Sequence, residues 1–343
     1  MKVYLASYQP ISLLHGGPRV QVLQTKAELV RLGVNVELFD PWKHFVREKE
    51  TLFHLFAANL GTFHTASVLK NFDIPFATSP IFFTRHSPTV VRATVEISKL
   101  LRRFRSAFWT NYEFTRQICA WSKAVLPNTT DEAKLIAEGL GIHRSAIHII
   151  PNGVEARFEF GDPSLFKKKY GIENFILNVG HIGPERKNVL NLIRALKRID
   201  HPAVIIGKIS STPMGMKCVE EARQSKNILI IDGLDNDSAM LASAYAACDV
   251  FALPSLFETP GIAALEAAVA GAKIVITPFG GTKDYFLSMA EYVDPYSIES
   301  IADGIQRALN RKKDSALKEH IKREFLWSRV AEKTLAVYRQ IIS

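Results

Sequence analysis

The chain has 343 residues, of which 47% are hydrophobic and 22% are charged. These proportions are ordinary for a soluble globular protein and exclude a largely disordered one. At roughly 100–200 residues per domain, the length predicts two domains. No stretch approaches the roughly 18 consecutive apolar residues of a transmembrane helix, and the start, MKVYLASYQP, lacks the apolar run of a signal peptide.

The positive charge is concentrated in the first half of the chain. The whole chain carries +9, and residues 1–150 hold 18 Lys and Arg against 11 Asp and Glu. A basic half predicts an anionic partner, either a phosphorylated substrate, a lipid surface or nucleic acid. No recognised nucleic-acid motif accompanies the charge, so nucleic acid is not expected.

The cysteines exclude a disulfide-based fold. There are three, Cys119, Cys218 and Cys248, and they lie far apart in the sequence. An odd number at such spacing indicates neither a disulfide framework nor a metal cluster. A reducing compartment, the cytoplasm, is therefore expected.

Strands and helices are predicted to alternate along both halves. Residues 17–33 carry apolar side chains at helical spacing. Short apolar runs predict strands at 2–8, 34–39, 52–57, 74–78, 124–128 and 146–150, and then at 175–180, 203–207, 228–232, 250–254 and 273–277. This alternation predicts an α/β protein with parallel sheets covered by helices.

The stretch PNGVEARFEFGDP (151–163) interrupts the alternation, because its prolines and glycines come without periodicity. It predicts a linker between two doubly wound domains, 1–152 and 153–325. Ligands of open α/β sheets bind at the carboxyl ends of the strands. Functional residues are therefore expected directly after each predicted strand.

Two glycine pairs follow predicted strands. Gly16 and Gly17 lie in HGGPRV (15–20), and a second pair, 280–281, lies in TPFGGTKDYF. Glycine lets a ligand approach the backbone, and the helix that follows favours an anion. Ordinary helix starts are the alternative interpretation. The G-x-G-x-x-G pattern of dinucleotide sites is missing, which argues against a nicotinamide oxidoreductase.

Two cations lie in VGHIGPERKN (179–188), between a predicted strand and a helix predicted to begin near Lys187. Arg186 and Lys187 would oppose the dipole at that helix start, at a cost of about 0.3–1 kcal/mol each. Their position suggests that they serve an incoming anion such as a diphosphate. Two solvated surface charges are the alternative.

Two carboxylates lie in SLFETPGIAALEAAVAGAKIV (255–275), namely Glu258 and Glu266. Pro260 and Gly261 mark the start of a helix whose small residues predict burial, with Glu266 about one turn inside. A buried carboxylate is costly unless it is paired or hydrogen-bonded. Sugar hydroxyls are suitable donors, and a salt bridge to an internal Lys or Arg is the alternative for Glu266.

In their order these motifs resemble the retaining glycosyltransferases of family 4, the group 1 glycosyltransferases with the GT-B fold. VGHIGPERKN resembles the family's G-R-x-x-x-x-K-N diphosphate loop, and the segment 254–275 resembles its P-S-x-x-E-G-x-G-x-x-x-x-E-A-x-A-x-G motif. Residues 124–158 resemble the segment that crosses between the family's two domains, and 325–342 resemble its closing helix. The resemblance covers nearly the whole chain and is weak in 40–120.

The resemblance implies two Rossmann-like domains with a cleft between them and a C-terminal helix, 326–343, that packs back on the first domain. It implies a retaining transfer of a sugar from a nucleotide-diphosphate-sugar donor to a lipid-linked, glycan or other acceptor, without a metal or other cofactor. By this resemblance, Arg186 and Lys187 would clamp the diphosphate, and Gly16 and Gly17 would approach it from the first domain. Glu266 would accept hydrogen bonds from the ribose, and Glu258 would lie beside the transferred sugar. The backbone of Thr259, Gly261 and Ile262 would contact the sugar and the phosphate.

Three departures from the family pattern are present. His181 occupies the place of the loop's first arginine, whose contact to the donor is then made by His181 or by Arg186. Pro260 removes one backbone donor from the sugar-binding segment. The family often has a histidine after the fourth strand, whereas His86 comes several residues later and His54 is more typical of a structural histidine. These departures motivate an alternative, a non-catalytic protein that keeps the fold and binds a nucleotide sugar.

Two further patterns remain. Asp235-Asn236-Asp237 resembles the metal-binding triplet of another glycosyltransferase architecture, but it precedes a helical pattern, so helix capping by aspartate is predicted and no metal is expected.

The segment 91–109 carries Arg102, Arg103 and Arg105 among apolar residues. It fits either a membrane interface or a half-buried helix with extended arginines. Peripheral binding to an anionic inner membrane face is therefore left open.

Overall fold

The computed structural model describes residues 1–13, 16–104 and 109–342, and for 102–104 the backbone alone. It divides into two compact units, Met1–Gly153 with Trp327–Ser343, and Val154–Leu326. The domain boundaries expected from the sequence lie one residue from these.

The first unit is built on a parallel sheet. Its described strands are β1 (Lys2–Ser7), β2 (Asn35–Leu38), β3 (Thr51–Phe56), β4 (Phe76–Ser79) and β5 (Ala124–Val125), in the order β2-β1-β3-β4-β5. Its first five described helices are α1 (Gly17–Arg31), α2 (Leu60–Asn71), α3 (Pro88–Phe104), α4 (Asn111–Trp121) and α5 (Thr130–Lys134), the last continued by a π-helical turn at Leu135–Gly139. Strands β3, β4 and β5 are buried throughout, which explains their apolar runs in the sequence, whereas the edge strand β2 exposes Asn35 and Leu38.

The strand predicted at 146–150 does not form. The segment makes one isolated bridge, between Ile147 and Val125, and donates from the His148 and Ile150 amides to the carbonyls of Val125 and Pro127. Proline has no N–H, so Pro127 accepts a hydrogen bond from this segment but cannot donate one to it, and the ladder of a β-sheet is interrupted. The first sheet therefore ends at β5.

The second unit contains the larger parallel sheet. Its described strands are β6 (Ile176–Val179), β7 (Ala203–Ile206), β8 (Ile228–Ile231), β9 (Val250–Leu253), β10 (Lys273–Ile276) and β11 (Glu291–Tyr292), in the order β11-β10-β9-β6-β7-β8. Its described helices are α6 (Pro163–Tyr170), α7 (Val189–Leu196), α8 (Pro213–Arg223), α9 (Ala239–Ala247), α10 (Ile262–Ala270), α11 (Thr282–Phe286), α12 (Ile298–Asn310) and α13 (Ala316–Phe325). Apolar residues fill a core on each face of this sheet.

The last helix, α14 (Trp327–Ile342), belongs to the first unit. Trp327, Val330 and Tyr338 are buried in the same apolar cluster as β1 and α1. A Cβ added to Gly153 would lie 2.5 Å from the Trp327 ring, so the chain passes directly over that ring. No helix among the described residues is long and apolar enough to cross a lipid bilayer.

Candidate functional site

The strand order of the second sheet changes direction between β6 and β9. These strands pair over only two residues each, Ile176 with Val250 and Leu177 with Phe251. Open α/β sheets bind ligands outside the carboxyl ends of their strands, at such a switch point. The segments that leave β6 and β9 there carry the two predicted cations and the first predicted glutamate.

Lys187, Arg186 and Glu258 meet at this switch point. Lys187 Nζ lies 2.6 Å from Glu258 Oε1, and Arg186 Nη1 lies 3.3 Å from the same oxygen. Arg186 also donates to the Phe257 carbonyl at 3.1 Å, and its guanidinium lies over the Phe257 ring. The Arg186 side chain is 40% exposed and that of Glu258 is 6% exposed. The sequence predicted these three residues, but not their contact with one another.

The cluster retains a positive charge. Burial by itself would raise the pKa of Glu258, but the charges of Lys187 and Arg186 hold it below the usual value. Glu258 is therefore ionised at neutral pH and balances only one of its two cationic neighbours. A net positive charge beside a buried carboxylate suits an anionic ligand that also carries hydroxyl groups.

The two cations lie in a short turn rather than at the start of a helix. Glu185–Lys187 forms a single 3-10 turn, and α7 begins at Val189, two residues after Lys187, near which the helix was predicted to begin. Asn188 separates the two elements with a φ of 55°. Its amide donates to the carbonyls of Pro254 and Pro295 at 2.9 and 2.7 Å. Asn188 thus ties the cationic turn to the segment after β9, a role that sequence reasoning missed.

The segment between β9 and α10 packs tightly. Gly261 has a φ of 84°, and a Cβ there would lie 2.9 Å from Leu253. A Cβ on Gly280 would lie 2.5 Å from the Glu258 carbonyl. Only glycine allows the two loops to approach this closely. These contacts fix the backbone that carries Glu258.

The start of α10 offers backbone donors. The helix begins at Ile262 as predicted, and among the described residues no side chain caps its N-terminus at Gly261. The first N–H groups of a helix lack partners within it and favour an anion. Thr259 is half-buried, and His181, in the loop after β6, is exposed.

Glu266 is buried on α10 and is held by hydroxyl and amide groups. Tyr245 Oη donates to its Oε2 at 2.6 Å, and Asn236 Nδ2 lies 3.5 Å from its Oε1. Burial raises the pKa of Glu266 to about 7, and these two partners oppose the rise. Hydrogen bonds therefore satisfy this carboxylate, where a salt bridge was the alternative. No pattern in the sequence pointed to Tyr245.

Gly16 and Gly17 belong to the first unit. The first sheet changes direction between β1 and β3, and the loop that leaves β1 ends at these glycines, where α1 begins. Among the described residues no side chain caps α1. His15 of the same motif lies outside the described residues.

The aspartates of the triplet do not cap α9. Ser238 occupies the cap, and its hydroxyl accepts from the Leu241 amide at 3.2 Å. Asp235 and Asp237 are exposed. The predicted cap by aspartate was therefore wrong, because Ser238, the residue directly before the helix, provides the cap.

The two histidines of the first unit have separate surroundings. His54 is buried in β3 between Ser79 Oγ and Tyr338 Oη, at 2.9 and 2.6 Å, which confirms a structural environment. His86 is exposed in the loop after β4, with Nδ1 2.7 Å from the Tyr112 hydroxyl.

Comparison with known proteins relates the second unit to a family of enzymes. Residues 164–324 match the family described as glycosyl transferases group 1. An MMP alpha-(1->4)-mannosyltransferase of Mycolicibacterium hassiacum is 24% identical over 77% of this chain and 66% of its own length. A D-inositol 3-phosphate glycosyltransferase of Geodermatophilus obscurus is 27% identical over 65% of this chain and 53% of its own length. The chain thus spans between half and two thirds of these relatives.

Two solved structures extend over the whole chain. Sucrose-phosphate synthase from Thermosynechococcus elongatus has a TM-score of 0.73 at 17% identity and covers 99% of both chains. Anabaena Alr3699/HepE, in complex with UDP and glucose, has a TM-score of 0.68 at 16% identity and covers 99% of this chain and 100% of its own. Such similarity shows the fold. Residues 164–324 are therefore similar to the group 1 glycosyl transferases, and they lie within a two-domain chain of the GT-B fold.

Proposed function

We propose that the protein transfers a sugar from a nucleoside-diphosphate-sugar donor to an acceptor, with retention of configuration. The observation that carries this proposal is the contact of Arg186 and Lys187 with the buried Glu258 at the switch point of the second sheet. The cations suit a diphosphate, and the carboxylate suits the hydroxyls of the attached sugar. The family match of this unit and the UDP and glucose in Anabaena HepE support the same donor class.

The charges at the site favour stabilisation of the leaving group. As the bond between the anomeric carbon and the diphosphate oxygen breaks, negative charge grows on the diphosphate. Arg186, Lys187 and the first N–H groups of α10 are positioned to stabilise it, an effect worth several kcal/mol in preorganised sites. His181, Thr259, Gly261 and Ile262 remain predicted donor contacts in the same loops.

The state of Glu258 argues against its use as a base or nucleophile. Two cations lower its pKa and thereby its basicity. We therefore assign the acceptor's proton to an oxygen of the departing diphosphate. The acceptor oxygen forms its bond to the anomeric carbon on the face that the diphosphate leaves. The products are the glycosylated acceptor and the nucleoside diphosphate.

The first test is thermal stabilisation by uridine, guanosine and adenosine diphosphates and by their sugars. A ligand at 100 times its Kd that binds only the folded state adds about 2.7 kcal/mol. Donor turnover with release of the nucleoside diphosphate would support the enzyme. Binding without turnover would favour the alternative, a nucleotide-sugar-binding protein without activity.

Activity is expected to survive a strong chelator. We propose that the side-chain cations supply the charge that a metal supplies elsewhere, and that the exposed Asp235 and Asp237 hold none. The measurement is donor turnover with and without EDTA. The expectation would be contradicted if EDTA abolished activity and manganese or magnesium restored it. The exposed triplet would then be the metal site if Asp235→Ala and Asp237→Ala variants no longer responded to the metal.

We further propose that a lipid-linked acceptor is reached at an anionic membrane face, to which α3 binds. This helix buries Val91 and Val95 and exposes an apolar stripe on its other side. The stripe consists of Val90, Ile97, Leu100 and Leu101, which are 40–57% exposed. Such residues at spacings of three, four and seven lie on one helix face. The side chains of Arg102, Arg103 and Arg105 lie outside the described residues.

Binding to anionic vesicles is therefore expected at low salt and should fall steeply as salt rises. Each basic residue near such a surface contributes about 1 kcal/mol, and salt screens it within a Debye length of roughly 8 Å. Replacing Arg102, Arg103 and Arg105 with glutamine should remove most binding, and Ile97→Gln should weaken it. Met216→Gln, at an exposed apolar residue of α8, is the control. If sedimentation leaves the wild type in the supernatant, a soluble acceptor is indicated.

A further inference from the structure

The carboxylate of Glu266 lies in a chain of contacts that begins just beyond the boundary between the units. Arg157 follows that boundary in a short 3-10 turn, Ala156–Phe160. Its Nη2 donates to the Asn236 carbonyl at 2.6 Å and to Asn236 Oδ1 at 3.0 Å. The Asn236 amide in turn lies 3.5 Å from Glu266. The chain of contacts thus runs from Arg157 through Asn236 to Glu266.

Arg157 determines which way the Asn236 amide points. A guanidinium has donors and no acceptor, so the oxygen of the asparagine amide must face it. The nitrogen of the same amide must then face Glu266, where it serves as a donor. Glu155 holds Arg157 from the other side, with Oε2 3.1 Å from Nε, and the guanidinium lies 4.0 Å from the centre of the Phe158 ring. Arg157 is therefore fixed on three sides.

We propose that Arg157 and Asn236 are positioning residues, which orient the Glu266 carboxylate toward the ribose hydroxyls of the donor. The inference rests on the proposed function, because Glu266 is taken there as the ribose acceptor. It assigns a role to Arg157, which the sequence places in an apparent linker, and to Asn236, which the sequence places in an apparent helix cap.

Glu266 should titrate near neutrality in the unliganded protein. Burial raises its pKa to about 7, Tyr245 and Asn236 stabilise the charged form, and among the facing charges Arg157 lowers the pKa while Glu155 raises it. Below about pH 7 the carboxyl is protonated and accepts hydrogen bonds less well. Donor affinity is therefore expected to fall as the pH drops through 7. Removal of Asn236 or Arg157 should raise the pKa further and move this midpoint to higher pH.

The test measures the Kd of a nucleotide sugar between pH 5.5 and 9 by calorimetry. The probe is whichever of UDP-glucose, GDP-mannose and ADP-glucose stabilises the wild type, because their diphosphates do not titrate in this range. Asn236→Ala should raise Kd about 3- to 10-fold at pH 7, the range of one ordinary hydrogen bond, because Asn236 acts on the donor only through Glu266. Arg157→Gln should shift the midpoint in the same direction, and Glu266→Gln should remove the pH dependence.

Asn227→Ala provides the matched control. Asn227 is also an exposed asparagine whose amide donates to a carboxylate, Asp200, at 3.2 Å. Its replacement should leave Kd within about twofold, since surface contacts of this kind contribute little. An Asn236→Ala variant with the wild-type Kd and midpoint would overturn the proposal. So would a loss of affinity that is equal at every pH, because that would show a structural role alone.

A second measurement separates this inference from the proposed function. The Glu266 carboxyl can be titrated without ligand by carbon-13 NMR, with Glu266→Gln to assign its signal. A midpoint near 7 that rises in Asn236→Ala supports the positioning role even if no nucleotide sugar binds. Absence of binding to the wild type would instead reject the proposed function. A midpoint that does not move in Asn236→Ala would reject the positioning role.

Discussion

Replacing Lys187 with alanine is expected to weaken binding of a nucleoside diphosphate by about 1.5–3 kcal/mol, the contribution of a hydrogen bond to a charged group. Binding of the corresponding nucleoside should change little, because Lys187 lies among the charges at the switch point, where the diphosphate is proposed to bind. Calorimetry on both ligands measures the difference. Equal weakening of the two would remove Lys187 from the phosphate site.

The same substitution should also destabilise the protein. Lys187 is the nearer of two cations to the buried Glu258, so its loss leaves that charge with Arg186 alone at 3.3 Å. A buried charge left without any partner costs about 3–5 kcal/mol, so the loss expected here is smaller, because Arg186 remains. Urea unfolding of Lys187→Ala measures the loss, and a Lys187→Ala/Glu258→Gln double variant should recover most of it without recovering diphosphate binding.

Lys197 offers a matched control for stability. Its Nζ also lies 2.6 Å from a carboxylate, that of Glu221, but this pair is more exposed than the pair with Glu258. Exposed pairs contribute about 0–1 kcal/mol. Lys197→Ala should therefore unfold close to the wild type and bind nucleoside diphosphate normally. An equal effect of the two lysine variants would contradict the special role of the buried pair.

Replacing Glu258 with glutamine is expected to lower kcat by about 100-fold or more, as the loss of one preorganised group does in other active sites. The carboxylate is proposed to contact the sugar, whose charge and shape change most as the bond breaks. Binding of the nucleoside diphosphate should not fall, since Arg186 and Lys187 then face it without a competing carboxylate. Steady-state kinetics and calorimetry give both values.

Glu266→Gln should have the opposite signature, a raised donor KM with a smaller change in kcat. Contacts to the ribose are similar in the ground state and the transition state, so they contribute uniform binding. If Glu258→Gln leaves turnover unchanged while Glu266→Gln abolishes it, the two roles assigned here are reversed.

The sequence predicted most strands because parallel strands are buried on both faces and appear as continuous apolar runs. It predicted the start of α10 because Pro260 and Gly261 interrupt the preceding pattern. The segment 146–150 was predicted wrongly because its apolar residues fit a strand. Its neighbour in the sheet contains Pro127, which has no N–H to donate to it, so the hydrogen-bond ladder is not continued. Local patterns do not show which partner a strand will meet.

The site residues were predictable from their order and their unusual chemistry, but their contacts were not. Lys187 and Glu258 are separated by 71 positions and meet at 2.6 Å because β6 and β9 are adjacent in the sheet. Tyr245 and Glu266 meet because α9 and α10 both pack on one face of that sheet. The sequence around Asn188 does not show whether its side chain caps a helix or hydrogen-bonds to a distant loop, since asparagine suits both roles.

The return of α14 to the first unit has a consequence for the order in which the protein matures on the ribosome. The hydrophobic cluster around β1 needs Trp327, Val330 and Tyr338, which are translated after the whole second unit. The second unit lies wholly between Val154 and Leu326 and can complete its core earlier. Of the two units, the first one begins to be translated earlier but is expected to finish folding later, with its apolar surface open to chaperones in the meantime.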